Sequence, residues 1–174
     1  MRVRRAEVGD AAAIARVHVG SWRVAYRGLI PQDYLDRLDP EERREMWARG
    51  LATSRWPRSG TLVAEGDDGV VGFTHIGPSR DDDADPTVGE VAALYALSAV
   101  WGTGVGRVLM AAALDGLSEA GYAQATLWVL DSNARARRFY EAVGWRPDGV
   151  VKVDATRGFP LSELRYRRPL GSSS

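Results

Sequence analysis

Between Gly104 and Ala120 the apolar residues Val105, Val108, Leu109, Ala112 and Ala113 recur at i, i+3, i+4, i+7 and i+8, the spacing of one buried helix face. Gly121 stands where such a helix ends. A second helical stretch, DSNARARRFYEAVGW, carries Ala136, Phe139, Tyr140 and Val143 on its inner face, with Asp131, Ser132 or Asn133 as its cap and Gly144 as its stop. Near the beginning, MRVRRAE alternates as a strand does. Asp10 then caps AAAIARVHVGSW, whose stripe of Ile14, Val17 and Ala25 is broken near Gly20. Pro31 and Pro40 mark helix starts in a bent segment anchored by Tyr34, Leu35, Leu38, Met46, Trp47 and Leu51.

Alternation with a period of two takes over elsewhere. Thr61 to Glu65 and Val70 to Ile76 flank a turn with Asp67, Asp68 and Gly69, which is a hairpin pattern. An acidic loop, GPSRDDDADPTVG, leads to a further strand in EVAALYAL, and ATLWVL, RPDGVVKVD and SELRYRRPL complete the set. The predicted order is strand, helices, three strands, helix, strand, helix, two strands. A strand-helix-strand crossover from Glu90 through Val129 amid hairpins implies a mixed sheet in an α/β (α+β) chain. One domain over residues 1–168 is expected, with 169–174, ending GSSS, as a disordered tail.

Composition removes several kinds of chemistry. Cysteine is absent, which excludes a thiolate nucleophile, thiolate metal ligands and disulfides. Two histidines, His18 and His75, with no ligand spacing between them argue against a metal or a triad. Lys+Arg and Asp+Glu balance at 23 each, so there is no broad positive field for nucleic acid, and any bound anion must be held locally. The N-terminal stretch has no apolar leader core, and no window approaches ~18 apolar residues. No membrane partner and a cytoplasmic location are the expectations.

WGTGVGRVLM, residues 101–110, joins a strand to a helix through three alternate glycines. It fails G-x-G-x-x-G from either starting glycine, and it lacks the Lys-Ser or Lys-Thr of a Walker loop. What survives is a bare helix start whose amides and dipole can hold a pyrophosphate, against the alternative of a tight turn built for packing.

Two motifs together sharpen that choice. LYALSAVWGTGVGRVLM resembles the [QR]-x-x-G-x-[GA] motif of the GNAT superfamily of acyl-CoA-dependent N-acyltransferases, with Trp101 in the Gln/Arg place and Gly104 and Gly106 in the small-residue places. NARARRFYEAVGW resembles its second motif at Asn133, Ala136, Phe139, Tyr140, Gly144 and Trp145. SWRVAYRGLIP is similar to the opening helices of many members. Ala96 in place of Val, Ser98 in place of Pro and the uncharged Trp101 depart from the pattern without removing a backbone N–H. The resemblance implies a mixed, mostly antiparallel sheet of about seven strands with helices on both faces.

It also implies acetyl-CoA as co-substrate, its pantetheine along Ala96 and Leu97, a backbone N–H near Leu97 polarising the thioester, and its pyrophosphate on Gly102, Thr103, Gly104, Val105, Gly106 and Arg107. Arg107, Arg135 or Arg138 supplies the charge that Trp101 lacks, and Asn133 bonds the pantetheine or caps its helix. Tyr140 is the implied donor to the leaving thiolate. With ordinary pKa values of about 10 and about 8.5, full transfer is uphill by roughly 2 kcal/mol, so a hydrogen bond is the easier role. Glu90 is the implied general base, against a plain strand-edge charge. Trp22 and Tyr26, with Tyr34, Trp47 and the loop 156–162, stand as the acceptor wall. The acidic run Asp81 to Asp85 either attracts a cationic amine or is a solvated loop.

The expected activity is acetyl transfer to a primary amine of a small molecule or peptide by direct attack on the thioester. The alternative is a non-catalytic acyl-CoA sensor. A homodimer is compatible with the resemblance, since many relatives with this fold dimerise.

Overall fold

Among residues 1–171, which the computed structural model describes, the alternating stretches form β1 (Arg2–Arg5), β2 (Gly60–Gly66), β3 (Gly69–Pro78), β4 (Val88–Ala96), β5 (Gln124–Leu130), β6 (Arg146–Asp154) and β7 (Leu161–Pro169). The helical stretches form α1 (Ala11–Ala25), α2 (Gln32–Asp36), α3 (Pro40–Ala52), α4 (Val105–Glu119) and α5 (Ala134–Ala142). One sheet runs in the order β1-β2-β3-β4-β5-β7-β6. Its β4/β5 pair is parallel and the other pairs are antiparallel, the mixed arrangement that the crossover implies. Of the tail expected at 169–174, Pro169 is the last residue of β7 and the Leu170 N–H donates to the Ala123 carbonyl; residues 172–174 lie outside the described residues.

The core lies on both faces of this sheet. Ile14, Val17, Trp47 and Phe73 pack α1 and α3 against one face. On the other, Met110, Ala113 and Leu117 of α4 meet Ile76, Leu127 and Tyr166, with Phe139 and Tyr140 of α5 against the same cluster. Burying a Leu or Phe side chain contributes about 1.5–3 kcal/mol, so these stripes hold the helices in place.

Four local expectations change. Val108 is 46% exposed, because the buried stripe of α4 runs through Val105, Leu109, Met110, Ala113, Gly116 and Leu117 instead. Met46 is likewise exposed on α3. α1 continues unbroken through Gly20, where a Cβ would meet the Leu97 side chain at 3.3 Å. The Asp10 carboxylate, at the start of α1, accepts from Glu7 N–H and Arg4 rather than from the helix amides.

Candidate active site

β4 and β5 begin as neighbours and then part. Their parallel pairing covers Val88–Glu90 against Gln124–Thr126, while β5 goes on pairing with β7 through Leu130. An extra residue in β4, Ala92, sits at the register shift between His75 and Ile76 of β3 and bends the strand at that point. A V-shaped gap results.

Backbone alternation decides which amides face it. The Leu97 N–H donates to the Val71 carbonyl at 2.9 Å, so the amide expected to polarise a thioester is committed to β3. Successive residues of an antiparallel strand point their N–H groups to opposite sides, which turns Leu94 and Ala96 toward the gap. The Ala96 carbonyl accepts the Trp101 indole N–H at 2.9 Å, and the Ala96 N–H is left facing the opening.

Two clefts meet at this gap. One, of about 460 Å³, is lined by Leu94, Tyr95 and Ala96 of β4, the glycine loop and α5. The other, of about 540 Å³, lies toward α1 and α3 and is lined by His18, Trp22, Trp47, Glu90, Arg157 and Glu163 among others. Tyr26, Tyr95 and Trp128 belong to both and form the wall where they join.

In the first cleft the three alternate glycines do two different jobs. Gly102 (φ 78°) and Gly104 (φ 91°) hold left-handed backbone, and an added Cβ on either would meet nothing within 4 Å. Gly106 is a packing position, where a Cβ would stand 3.2 Å from the Phe139 ring. The first main-chain bond of α4 runs from Val108 N–H to Gly104 C=O, which leaves the Val105, Gly106 and Arg107 amides open at a positive helix end. Trp101 does not leave this end uncharged, since the Arg135 guanidinium lies 3.7 Å from its ring centroid. Burial of part of its side chain, and then Arg138, lower the pKa of Arg135, an exposed cation with no carboxylate bonded to it among the described residues. This donor set of amides, helix dipole and guanidinium fits a pyrophosphate. Thr103 stands apart: its hydroxyl donates to the Val100 carbonyl and its side chain does not line the cleft. Leu97 is also outside the lining.

Asn133 caps α5, its Oδ1 accepting the Ala136 N–H at 3.2 Å, and it also lines the cleft, so both expected roles fit one side chain. Tyr140 lines the cleft with a hydroxyl that has no hydrogen-bond partner among the described residues. Burial, and then Tyr95, push its pKa well up. It is therefore a neutral O–H, suited to donating a hydrogen bond rather than to giving up its proton.

The second cleft is lined in part by Trp22 and Tyr26, with the Tyr26 and Tyr95 hydroxyls 3.4 Å apart. Tyr34 lies outside the lining, packed against Phe159. His18 Nδ1 accepts the Trp47 indole N–H at 3.1 Å, and because an indole only donates, the neutral ring carries its proton on Nε2. Burial, with Arg43 and Arg157, brings His18 down to about 4. Among the described residues no group of three or more His, Asp or Glu is placed to hold a metal.

Carboxylates in this cleft are mostly spoken for. Glu90, with a side chain 3% exposed, accepts the Arg80 N–H at 3.1 Å and the Arg80 guanidinium at 2.7 Å. Asp81 and Asp83 both bind Arg165, and Asp85 binds Thr87, so the acidic run is tied back on the fold. Asp154 pairs with Arg157. Glu163 of β7 is different: half-buried, it has no ion-pair or hydrogen-bond partner among the described residues. Sequence reading missed it. Its only trace is strand alternation, which puts Glu163 on the same inward row as Leu161 and Arg165.

The chain's likenesses bear on its family and fold. Residues 23–145 match the family described as the acetyltransferase (GNAT) family. The uncharacterized N-acetyltransferase YuaI of Bacillus subtilis is 36% identical over 152 residues, 86% of this chain and 82% of that protein. Among solved structures, a ribosomal-protein-alanine N-acetyltransferase from Brucella melitensis superposes with a TM-score of 0.76 at 23% identity, covering 98% of this chain and 100% of that one. A PaiA N-acetyltransferase from Thermoplasma acidophilum, in complex with coenzyme A, gives 0.69 at 18% identity, with 97% and 98% covered. At these identities the two structures speak for the fold. No helix among the described residues is long and apolar enough to cross a membrane.

Proposed function

The chain belongs to the acetyltransferase (GNAT) family, and from that premise we propose that it transfers an acetyl group from acetyl-CoA to a primary amine by direct attack on the thioester. The observation that carries this reading is the gap between β4 and β5, where a cleft fit for coenzyme A opens onto a second, polar cleft. Relatives named as N-acetyltransferases support catalysis, and nothing observed favours a non-catalytic sensor.

The residues divide the work by position. Val105, Gly106 and Arg107 amides, with Arg135 on Trp101, hold the pyrophosphate; Asn133 and the outward edge of β4 hold the pantetheine. The Ala96 N–H stabilises the carbonyl oxygen as it becomes negative, and the Tyr140 hydroxyl donates to the sulfur as the C–S bond breaks. Tyr26, Tyr95 and Trp128 exclude water where the reacting atoms meet. The test is thiol release from acetyl-CoA over a panel of primary amines. Release that rises with one class of amine is expected; release no faster than hydrolysis with every amine refutes the proposal.

A further inference from the structure

We propose that Glu163, not Glu90, is the catalytic base that takes the proton from the acceptor ammonium. This rests on the acetyl-transfer reading above and assigns a group that neither motif of the sequence contains.

Acetyl transfer to an amine that is protonated in water needs a carboxylate that is close to the thioester, reachable and not already neutralised. Glu90 fails the last two conditions. Its oxygens are held by the Arg80 guanidinium and main-chain N–H, and its side chain is 3% exposed. Glu163 meets them. It lines the acceptor cleft from β7, paired in register with Leu130 of β5 and Lys152 of β6, and no cation is bonded to it. Lys152 directs its ammonium over the Trp128 ring, 4.0 Å from the centroid, and leaves the carboxylate free. Glu163 stands opposite Leu130, at the end of β5 that has parted from β4, whereas Glu90 stands opposite Thr126, where the two strands are still paired. Glu163 thus stands on the acceptor side of the place where the thioester reaches the gap.

The groups facing Glu163 are Lys152 and Asp154 of β6, Arg157 before β7, Arg80 after β3, Tyr26 just after α1 and Tyr95 of β4. Lys152, Arg157 and Arg80 hold the pKa down and Asp154 raises it, but burial is the larger influence and the net direction is up. A raised carboxyl is a better match to an ammonium than an ordinary one.

The step balances as follows. Glu163 accepts one proton from the ammonium, and the freed amine nitrogen bonds to the thioester carbonyl carbon. As the C–S bond breaks, the sulfur leaves with a hydrogen bond from the Tyr140 hydroxyl, and a second proton passes from the same nitrogen to the thiolate. The amide and free coenzyme A depart, and Glu163 returns its proton to solvent.

The test follows kcat/KM against pH with acetyl-CoA and the most active amine of the panel, for wild type, Glu163→Gln and Glu90→Gln. Wild type and Glu90→Gln should show a plateau between the pKa of the base and that of the amine. Glu163→Gln should fall about 100-fold at pH 7 and rise tenfold per pH unit toward the amine pKa. With an alkoxyamine, which is neutral at pH 7, the Glu163→Gln deficit should shrink at least tenfold, an effect that a merely structural role would not produce. Loss of the plateau in Glu90→Gln with its retention in Glu163→Gln overturns the proposal, as does an equal deficit with both kinds of amine. Absence of amine-dependent thiol release in the wild-type protein removes the acetyl-transfer reading itself, and the proposal with it.

Discussion

Replacing Gly104 by alanine isolates what the glycine loop does. At φ 91° a side chain costs about 1–2 kcal/mol of backbone strain. With an unfolding entropy of roughly 2.1 cal/mol/K per residue over 174 residues, that strain lowers Tm by about 3–5 °C, leaving the protein folded at 25 °C. The new methyl points into open space, since nothing lies within 4 Å of it, and on this account that space belongs to the pyrophosphate. Losing one amide bond to a charged phosphate costs about 1.5–3 kcal/mol, a rise in Kd for coenzyme A of roughly 10- to 150-fold. Gly121, at the other end of α4, has the same φ of 91° and an equally open Cβ position, so Gly121→Ala is a control matched in strain. Calorimetric titration with coenzyme A, beside thermal melts of both variants, separates strain from binding. Similar Tm losses with weakened binding in Gly104→Ala alone are expected; wild-type affinity in Gly104→Ala, or equal weakening in both, refutes the cradle.

Other positions give equally direct outcomes. Tyr140→Phe should lower kcat roughly 100-fold while the Kd for acetyl-CoA stays near wild type, because the hydroxyl acts on the departing sulfur; pre-steady-state and binding measurements distinguish this from a loss of affinity. Arg135→Ala should weaken coenzyme A about tenfold and reduce the salt dependence of binding, with less effect on pantetheine, which lacks the pyrophosphate. His18, at about 4 when folded against 6.5 when unfolded, binds its proton more weakly in the native state, so its contribution to stability is complete above pH 6.5 and is lost as pH falls toward 4. At pH 5 the loss is about 2 kcal/mol, or about 5 °C in Tm, and His18→Gln should flatten that part of the melting curve against pH.

The architecture was legible because its signals are local. Alternation located the strands, the helical stripe and glycine stops located α4 and α5, and Asn133 and Tyr140 followed from the family motif that NARARRFYEAVGW resembles. What escaped depended on register or on long-range pairing. A one-residue difference decides that Leu97 bonds Val71 while Ala96 faces the gap, and no sequence period contains that choice. Arg80 neutralises Glu90 from the loop after β3, and Arg165 ties down Asp81 and Asp83 from more than 80 residues away along the chain. Trp101 lacks a charge in the sequence, yet Arg135 brings one to its ring only when α5 is packed beside the loop. Glu163 is one acidic residue in a charged strand until the fold shows which carboxylates already have partners.

The account turns on the place where the two clefts meet. A crystal structure with acetyl-CoA bound tests it most directly. The pyrophosphate should lie on the amides of Val105, Gly106 and Arg107, with the thioester oxygen at the Ala96 N–H and the sulfur beside the Tyr140 hydroxyl. A thioester lying outside the gap between β4 and β5, or a pyrophosphate away from the start of α4, would contradict it.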